Sequence, residues 1–297
     1  MSEMTAKVKK PRSMTQQRQL GVIIRWIIAV FLIIFSVFPL IWIISASFNP
    51  VGTLATARLI PENPGFDNFR QLVGNPTFPF FRWFWNSVKI TTITTILTLT
   101  LTTMAAYAFS RFRFKGRTTM LKAILLIQVF PNLLSIVALF LILTQFGSII
   151  PAIGLNTHMG LILVYLGGAM GMNIWLMKGY MDTIPRDIDE SAHVDGASDW
   201  QVFWTLILPL LRPILVVIGI LSFIGTYGDF IVARTLLKTT ELYTIMVGLQ
   251  IYTSGMFSQK WGIFAAGALI SALPIMIIYL VLQDQIVGGL TQGAVKG

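Results

Sequence analysis

Hydrophobic and polar positions divide this chain into six long apolar runs separated by short polar stretches. The runs fall at about residues 21–47, 86–110, 120–145, 158–178, 206–233 and 262–284. A bilayer core about 30 Å thick needs roughly 20 apolar residues at the 1.5 Å rise of a helix, and each run reaches or approaches that length. None shows the strict alternation of a membrane β-barrel, and hydrocarbon offers no water to an open strand edge. The pattern therefore predicts an all-α polytopic membrane protein with six transmembrane helices. The first run follows Lys7, Lys9, Lys10 and Arg12, and ends near Ser45–Ala46–Ser47, which has the look of a signal-peptide cleavage site. A signal h-region spans about 7–15 residues, however, and Ile27 to Ile44 alone exceeds that. An uncleaved anchor is expected.

Composition agrees. Of 297 residues, 55% are hydrophobic and 11% charged, against about 25% charged in soluble domains. The net charge of +10 does not point to nucleic acid, because the basic residues sit in short clusters beside apolar runs. There is no cysteine, which removes disulfides and thiolate metal sites. Lys and Arg near the spans set orientation. The N-terminal arm holds Lys7, Lys9, Lys10, Arg12 and Arg18, and the loop after the second run holds Arg111, Arg113, Lys115 and Arg117. Both are expected in the cytoplasm, together with the loop after the fourth run and the C-terminus. The expected division is a basic arm (1–19), a six-helix membrane domain (20–285) and a cytoplasmic tail (286–297).

The segment from Asp182 to Pro209 breaks the apolar monotony. It holds Asp182, Asp187, Asp189, Glu190, Asp195 and Asp199, six of the chain's 12 acidic residues. Thr183 is read as an N-cap and Pro185 as a first-turn residue, with Asp187, Asp189 and Glu190 at the positive helix end. Ile184, Ile188 and Ala192 repeat every four residues as a narrow apolar stripe. Gly196 supplies the left-handed residue that closes a helix, and Ser198 with Gln201 spells a capping box for the next. That second helix carries Val202, Phe203 and Leu206 and meets Pro209 as it enters the fifth run. The reading is a helix–glycine–helix elbow continuous with a membrane span, which would suit a handle for a soluble partner. A merely solvated acidic helix fits the same spacing.

Candidate chemistry is sparse. A phosphate-cradling loop needs glycines followed by Lys-Ser/Thr, and Gly-Lys occurs nowhere. The two histidines, His158 and His193, lie on opposite expected sides, so neither a zinc site nor a His acid–base pair is expected. No Gly-x-Ser-x-Gly appears. His158 reads as structural, and Gly167 with Gly171 as a close helix approach. Intramembrane polar residues are functional candidates: Gln128 and Asn132 flank Pro131 in the third run, and Tyr227 and Asp229 close the fifth. Gln128 and Asn132 suit either cargo hydroxyls or interhelical hydrogen bonds. Asp229 suits either a translocation path or a pair with Arg234. Pro39 and Pro274 are candidate kinks. The absence of a charged intramembrane array fits a neutral, hydroxyl-rich cargo. An ion-driven secondary transporter would want repeats and midplane carboxylates, and a membrane enzyme would want a clustered nucleophile or metal set; neither is seen.

Glu190–Ser191–Ala192, Asp195–Gly196–Ala197 and the ending Leu206–Ile207–Leu208–Pro209 resemble the EAA loop of permease subunits in bacterial ABC importers, with Ser191 where alanine is usual. Trp85–Asn86–Ser87–Val88–Lys89, Ala105 to Arg111 and the Gly289–Gly297 tail resemble the carbohydrate-uptake branch. Gly154–Leu155–Asn156–Thr157–His158 and Tyr165–Leu166–Gly167–Gly168 resemble its MalG-like members, so the resemblance covers about residues 20–297. It implies an ABC importer permease fold moving maltose, maltodextrin or a related neutral oligosaccharide. The implied partners are a MalF-like second permease, a MalK-like ATPase dimer and an extracytoplasmic sugar-binding protein. ATP and magnesium would be bound by the ATPase, with no cofactor in this chain. Glu190, Ser191, Ala192, Asp195, Gly196, Leu208 and Pro209 would couple to the ATPase. Gly293, Ala294, Val295, Lys296 and Gly297 would form a tail at the ATPase interface. Tyr252, Thr253, Ser254, Gly255 and Gln259 would face the binding protein, in a loop whose sequence departs from the family's.

Overall fold

The computed structural model describes residues 14–50, 59–254 and 260–294. The basic N-terminal arm to residue 13, Gly255, Gln259 and Val295 to Gly297 lie outside them. Among the described residues the regular structure is helical, joined by turns and short irregular segments: α1 (Met14–Phe48), α2 (Asp67–Gly74), α3 (Phe80–Arg111), α4 (Arg117–Gln128), α5 (Asn132–Ile149), α6 (His158–Met181), α7 (Asp187–Val194), α8 (Asp199–Val202), α9 (Leu208–Leu210), α10 (Arg212–Tyr227), α11 (Ile231–Leu236), α12 (Ile245–Gln250) and α13 (Trp261–Ala294).

By length and composition, α1, α3, α6 and α13 each suffice to cross a membrane, and the bent pair Asp199–Leu210 and Arg212–Tyr227 makes a fifth candidate. The third expected span is divided. Pro131 cannot donate a backbone hydrogen bond and disfavours a helical residue before it, so α4 stops at Gln128 and α5 starts at Asn132. Leu121 of α4 packs with Phe109 and Ile174, whereas Leu143 of α5 joins the cluster around Trp83. The divided segment thus still runs between the same two ends as α3. Pro39 and Pro274 do not interrupt their helices; α1 and α13 continue through both. The helix α13 also continues through Ala294, nine residues beyond the boundary read from composition.

Exposure is inverted relative to a water-soluble protein. In the most apolar part of α1 no residue is buried, and Trp26, Phe31 and Phe35 are each more than 60% exposed. Apolar side chains facing outward along a whole helix are stable where the solvent is hydrocarbon.

The helix α3 organises the interior, packing along α6 and also against α10. Its buried face is a stripe of small hydroxylated residues, Thr91, Thr94, Thr95, Thr98, Thr102 and Thr103, which lets backbones approach closely. Thr102 Oγ1 donates to Thr98 O and Thr103 Oγ1 to Leu99 O, both at 2.6 Å, so these two hydroxyls are satisfied within the helix, whereas those of Thr94, Thr95 and Thr98 are buried without a hydrogen-bond partner.

Two apolar clusters lie at opposite ends of α3. One gathers Phe80, Trp83, Tyr227, Ile245, Leu249 and Tyr252. There Trp83 Nε1 donates to Thr240 O at 2.7 Å, Asn86 Nδ2 to Glu241 O at 2.8 Å and Tyr243 O at 3.1 Å, and Ser87 Oγ accepts from Ile245 N at 2.7 Å. One face of α3 thereby satisfies the backbone of the irregular segment before α12. Asn156 takes the left-handed conformation at φ 60 and its Oδ1 accepts from Lys238 N and Thr239 N. His158 Nε2 lies 2.9 Å from Leu242 O, while Thr157, not His158, caps α6. The second cluster, at the acidic-loop end, holds Tyr107, Met177, Met181, Val202, Phe203, Ile207 and Leu211.

Candidate functional site

The acidic loop forms an elbow seated on the second cluster. Its first arm, α7, begins at Asp187, later than its sequence suggests. Thr183 does not cap it, because its hydroxyl donates back to Tyr180 O at 2.7 Å, and Pro185 precedes the helix. The stripe of Ile184, Ile188 and Ala192 packs onto the cluster. Gly196 closes the arm at φ 86, with Gly196 N donating to His193 O at 3.0 Å and Ala197 N to Ala192 O at 2.9 Å. This pair of bonds is a Schellman motif, and Ala192 and Ala197, which it links, both pack onto the second cluster. The second arm starts at Ser198 with a complete capping box, Ser198 N donating to Gln201 Oε1 at 2.8 Å. Across the turn, His193 Nδ1 lies 2.9 Å from Ala197 O and Nε2 lies 3.3 Å from Asp199 Oδ1.

The second arm does not run straight into the membrane as read from sequence. It passes through a π-helical turn, Phe203–Ile207, and bends 75° to reach α10. Pro209 and Pro213 explain the break, since each lacks a donor and crowds the carbonyl four residues before it; Leu211 between them is fully buried and anchors the corner.

The elbow sorts its residues. Glu190, Ser191, Asp195 and Gly196 are exposed, Ala192 and Leu208 are half-buried against the cluster, and Pro209 is exposed. Val194 is 88% exposed and Trp200 59%, a large apolar offering for a polar element. Asp189 is the exception among the loop carboxylates of α7. It is buried, with Oδ2 2.9 Å from Arg111 Nε. Burial pushes its carboxyl above the ordinary aspartate range, against the pull of the Arg111 charge. Burial acts upward on Asp182 too, but hydrogen bonds from Lys178 and Ser110 outweigh it and hold that carboxyl low. A depressed carboxylate adds stability above its ordinary range that is lost as pH falls through the lowered value; with Asp182 partly exposed, solvent screening keeps the effect small.

A cavity of about 1110 Å³ opens beside α4, α5, α6 and the end of α10. Gln128, Ser135, Tyr165, Thr226 and Asp229 are its polar lining in an otherwise apolar wall. Asp229 Oδ1 accepts from Tyr165 OH at 2.8 Å and from Ala233 N at 3.1 Å. It does not pair with Arg234, which donates to Tyr243 OH at 2.9 Å and lies over that ring. Gly167, Gly168 and Gly225 line the same cavity, and a Cβ at any of them would meet nothing within 4 Å. Gly171, by contrast, is in close contact, since its Cβ would fall 1.9 Å from Gln128 Nε2. Only one of the two glycines read as a packing motif therefore packs.

Other sequence candidates land elsewhere. Tyr227 is 1% exposed and sits in the core, outside the cavity lining. Asn132 opens α5 at the break, and its side chain is outside the described residues. Tyr252 is 4% exposed and packs edge-on against Phe78, so it holds its loop from inside; Ser254 is exposed and Thr253 half-buried. Gly293 and Ala294 belong to α13. Sequence reading placed Asp189 with Asp187 and Glu190 at a helix end but did not find its inward pairing, because Arg111 is 78 residues away. The arginine at the end of the second run was the available clue.

Residues 99–290 match the family of binding-protein-dependent transport system inner membrane components. The chain is 46% identical over 274 residues to the maltose/maltodextrin transport system permease protein MalG of Vibrio vulnificus, covering 88% of this chain and 91% of the relative. It is 44% identical to MalG of Escherichia coli K12, covering 88% and 90%. It is 41% identical to the galactooligosaccharides transport system permease protein GanQ of Bacillus subtilis, covering 96% and 99%. Among solved structures, a bacterial ABC transporter importing the acidic polysaccharide alginate superposes with a TM-score of 0.77 at 22% identity, covering 93% of this chain and 99% of that one. The inward-facing MetNI methionine transporter gives 0.53 at 15%, covering 71% and 95%. The chain belongs to the binding-protein-dependent inner membrane transport family. It is a multi-pass, non-catalytic permease subunit of an ATP-driven ABC importer, and the expected all-α permease fold is the one observed.

Proposed function

We propose that this subunit translocates maltose, maltodextrin or a closely related neutral oligosaccharide into the cytoplasm. The single observation that carries this reading is the 44–46% identity to MalG permeases along nearly the whole chain. The subunit pairs with a MalF-like permease, rests on a MalK-like ATPase dimer that binds ATP and magnesium, and receives sugar from an extracytoplasmic binding protein. Both termini and the elbow lie in the cytoplasm, as the basic clusters favour. The arm (1–19), membrane domain (20–285) and tail (286–297) keep these roles, with α13 extending helically into the tail. Glu190, Ser191, Asp195 and Gly196 offer themselves to the ATPase, while Ala192, Leu208 and Pro209 hold the elbow's shape. Gly293 to Gly297 approach the ATPase interface, and Thr253, Ser254, Gly255 and Gln259 face the binding protein. Gln128 and Asp229, with their cavity, contribute to the path.

Supporting this reading, the elbow's exposed surface combines carboxylates with Val194 and Trp200, a mixture suited to a partner's cleft. The test is purification with co-eluting subunits, followed by sugar uptake in proteoliposomes. Maltotriose uptake that requires ATP, the second permease, the ATPase pair and the binding protein is expected. Uptake by this chain alone under a proton or sodium gradient would overturn the reading. The 96% coverage by a galactooligosaccharide permease favours a second cargo; a galacto-oligosaccharide that outcompetes maltotriose would select it.

A further inference from the structure

The end of α3 is tied to both arms of the elbow by polar contacts that neither the family match nor the coupling motif assigns. Arg111 is the last residue of α3, and its side chain is only 7% exposed. Its Nε lies 2.9 Å from Asp189 Oδ2, in the first turn of α7, and its Nη2 donates to Ile184 O at 3.2 Å. The tie is reciprocal. Arg186, just before α7, sends Nη2 back to Ser110 O at 2.9 Å. That carbonyl belongs to the last turn of α3, where helical acceptors lack partners and a cation is favoured. Ser110 Oγ donates to Asp182 Oδ1 at 2.6 Å. One turn earlier, Tyr107 reaches the second arm, its OH 3.4 Å from Asp199 O and its ring 5.0 Å from that of Phe203.

Adjacent carboxylates on α7 are thereby given opposite tasks. Glu190 is exposed and available to a partner, whereas Asp189 is turned inward to a buried guanidinium. A buried pair of this kind adds little net stability, but breaking it strands an uncompensated charge. It therefore fixes geometry: α7 cannot slide over the end of α3 without exposing or orphaning Arg111. The covalent route out of the elbow, by contrast, passes through a π-helical turn and a 75° bend.

We propose that Arg111 is a positioning residue that makes α3 an output of the elbow alongside α10. A push on α7 then moves α3 as one body with it, and through the threonine-lined face of α3 it displaces α6 and α10. The proposal rests on the reading of the elbow as the ATPase-coupling element.

The test uses the complete complex, purified with its partner subunits and reconstituted with the binding protein. It compares the wild type, Arg111→Ala, Arg111→Lys, Asp189→Asn and the swap Arg111→Asp with Asp189→Arg. Two quantities are read: ATPase subunit retained per permease, and sugar transported per ATP hydrolysed. The expected result is retained ATPase with transport per ATP reduced roughly two- to thirtyfold in Arg111→Ala and Asp189→Asn. Arg111→Lys keeps the charge but not the fork and should lose less, and the swap should recover most of the loss. If Arg111→Ala does not accumulate in the membrane, Arg111→Lys against the swap decides by the same ratio. Unchanged transport per ATP in the single variants would overturn the proposal. So would a loss explained entirely by a missing ATPase subunit that the swap fails to restore. If the wild-type complex itself shows no ATP-driven uptake, the coupling reading fails first and takes this proposal with it.

Discussion

Gly196 offers the cleanest perturbation of the elbow, because its environment isolates one physical effect. Its φ of 86 lies in the left-handed region, and a Cβ built there meets nothing within 4 Å. Gly196→Ala therefore introduces no clash; its cost is the backbone cost of holding an L-residue in that conformation, about 1–2 kcal/mol. Part of this is offset because alanine restricts the unfolded chain, an effect of about 0.4–1 kcal/mol. The net is about 1 kcal/mol, roughly a fivefold shift toward elbows lacking the Schellman turn. Asparagine tolerates the left-handed region, so Gly196→Asn should lose less, and β-branched Gly196→Val should lose more. The assay is sugar uptake per ATP hydrolysed in proteoliposomes, with permease abundance and retained ATPase measured in parallel. The expected order of coupling is Gly, Asn, Ala, Val, with near-normal abundance in all four. Coupling in Gly196→Ala equal to wild type, or Gly196→Asn as impaired as Gly196→Val, would refute the reasoning that this φ angle sets the geometry of the coupling element.

Three further outcomes follow from the same structure. Glu190→Lys places a cation where the docking surface is acidic; membrane insertion should be normal and ATPase co-purification should fall, and full retention of the ATPase would count against docking at Glu190. Asp229→Ala removes the acceptor for Tyr165 OH and Ala233 N, so it should impair uptake more than Asp229→Asn; equal uptake by Asp229→Ala and wild type would remove this carboxylate from the path. Trp83→Phe deletes the 2.7 Å bond from a fully buried indole to the carbonyl of half-buried Thr240. It should cost about 0.5–1.5 kcal/mol, read as a lower thermal midpoint in detergent, with an unchanged midpoint contradicting the role given to that indole.

Local features of this fold were legible in the sequence and distant ones were not. The Gly196 turn and the Ser198–Gln201 capping box involve residues within five positions of each other, so the sequence alone carries them. The apolar runs were legible because lipid demands length and hydrophobicity from each span independently. Pro131 lay inside a single third run in the reading and is a full division in the structure, since neighbouring helices supply the contacts that an interrupted span loses. The 75° bend was missed because Pro209 was read as a marker of entry into the span, without weighing Pro213 beyond Leu211. Thr183 matched a cap by type, yet its hydroxyl found Tyr180 O nearer. Which carboxylates of the acidic loop point out and which point in depends on Arg111, Ser110 and Lys178. Nothing within the loop reveals that division of labour. Tyr252 and Tyr227 illustrate the same gap: their sequence neighbourhoods suggest a loop tip and a path, and the packing of Phe78 and α3 buries both.

The elbow's place in the cytoplasm against a motor subunit can be tested with a single thiol, because the chain has no cysteine. Ser191→Cys sits on the exposed surface of α7 next to Glu190. Treatment of intact cells and of inside-out vesicles with a membrane-impermeant maleimide reports its side, and vesicles with and without the ATPase subunits report its cover. The expected result is no labelling in intact cells, rapid labelling in inside-out vesicles stripped of the ATPase, and protection when the ATPase is restored. Labelling from outside intact cells, or labelling indifferent to the ATPase, would contradict the account.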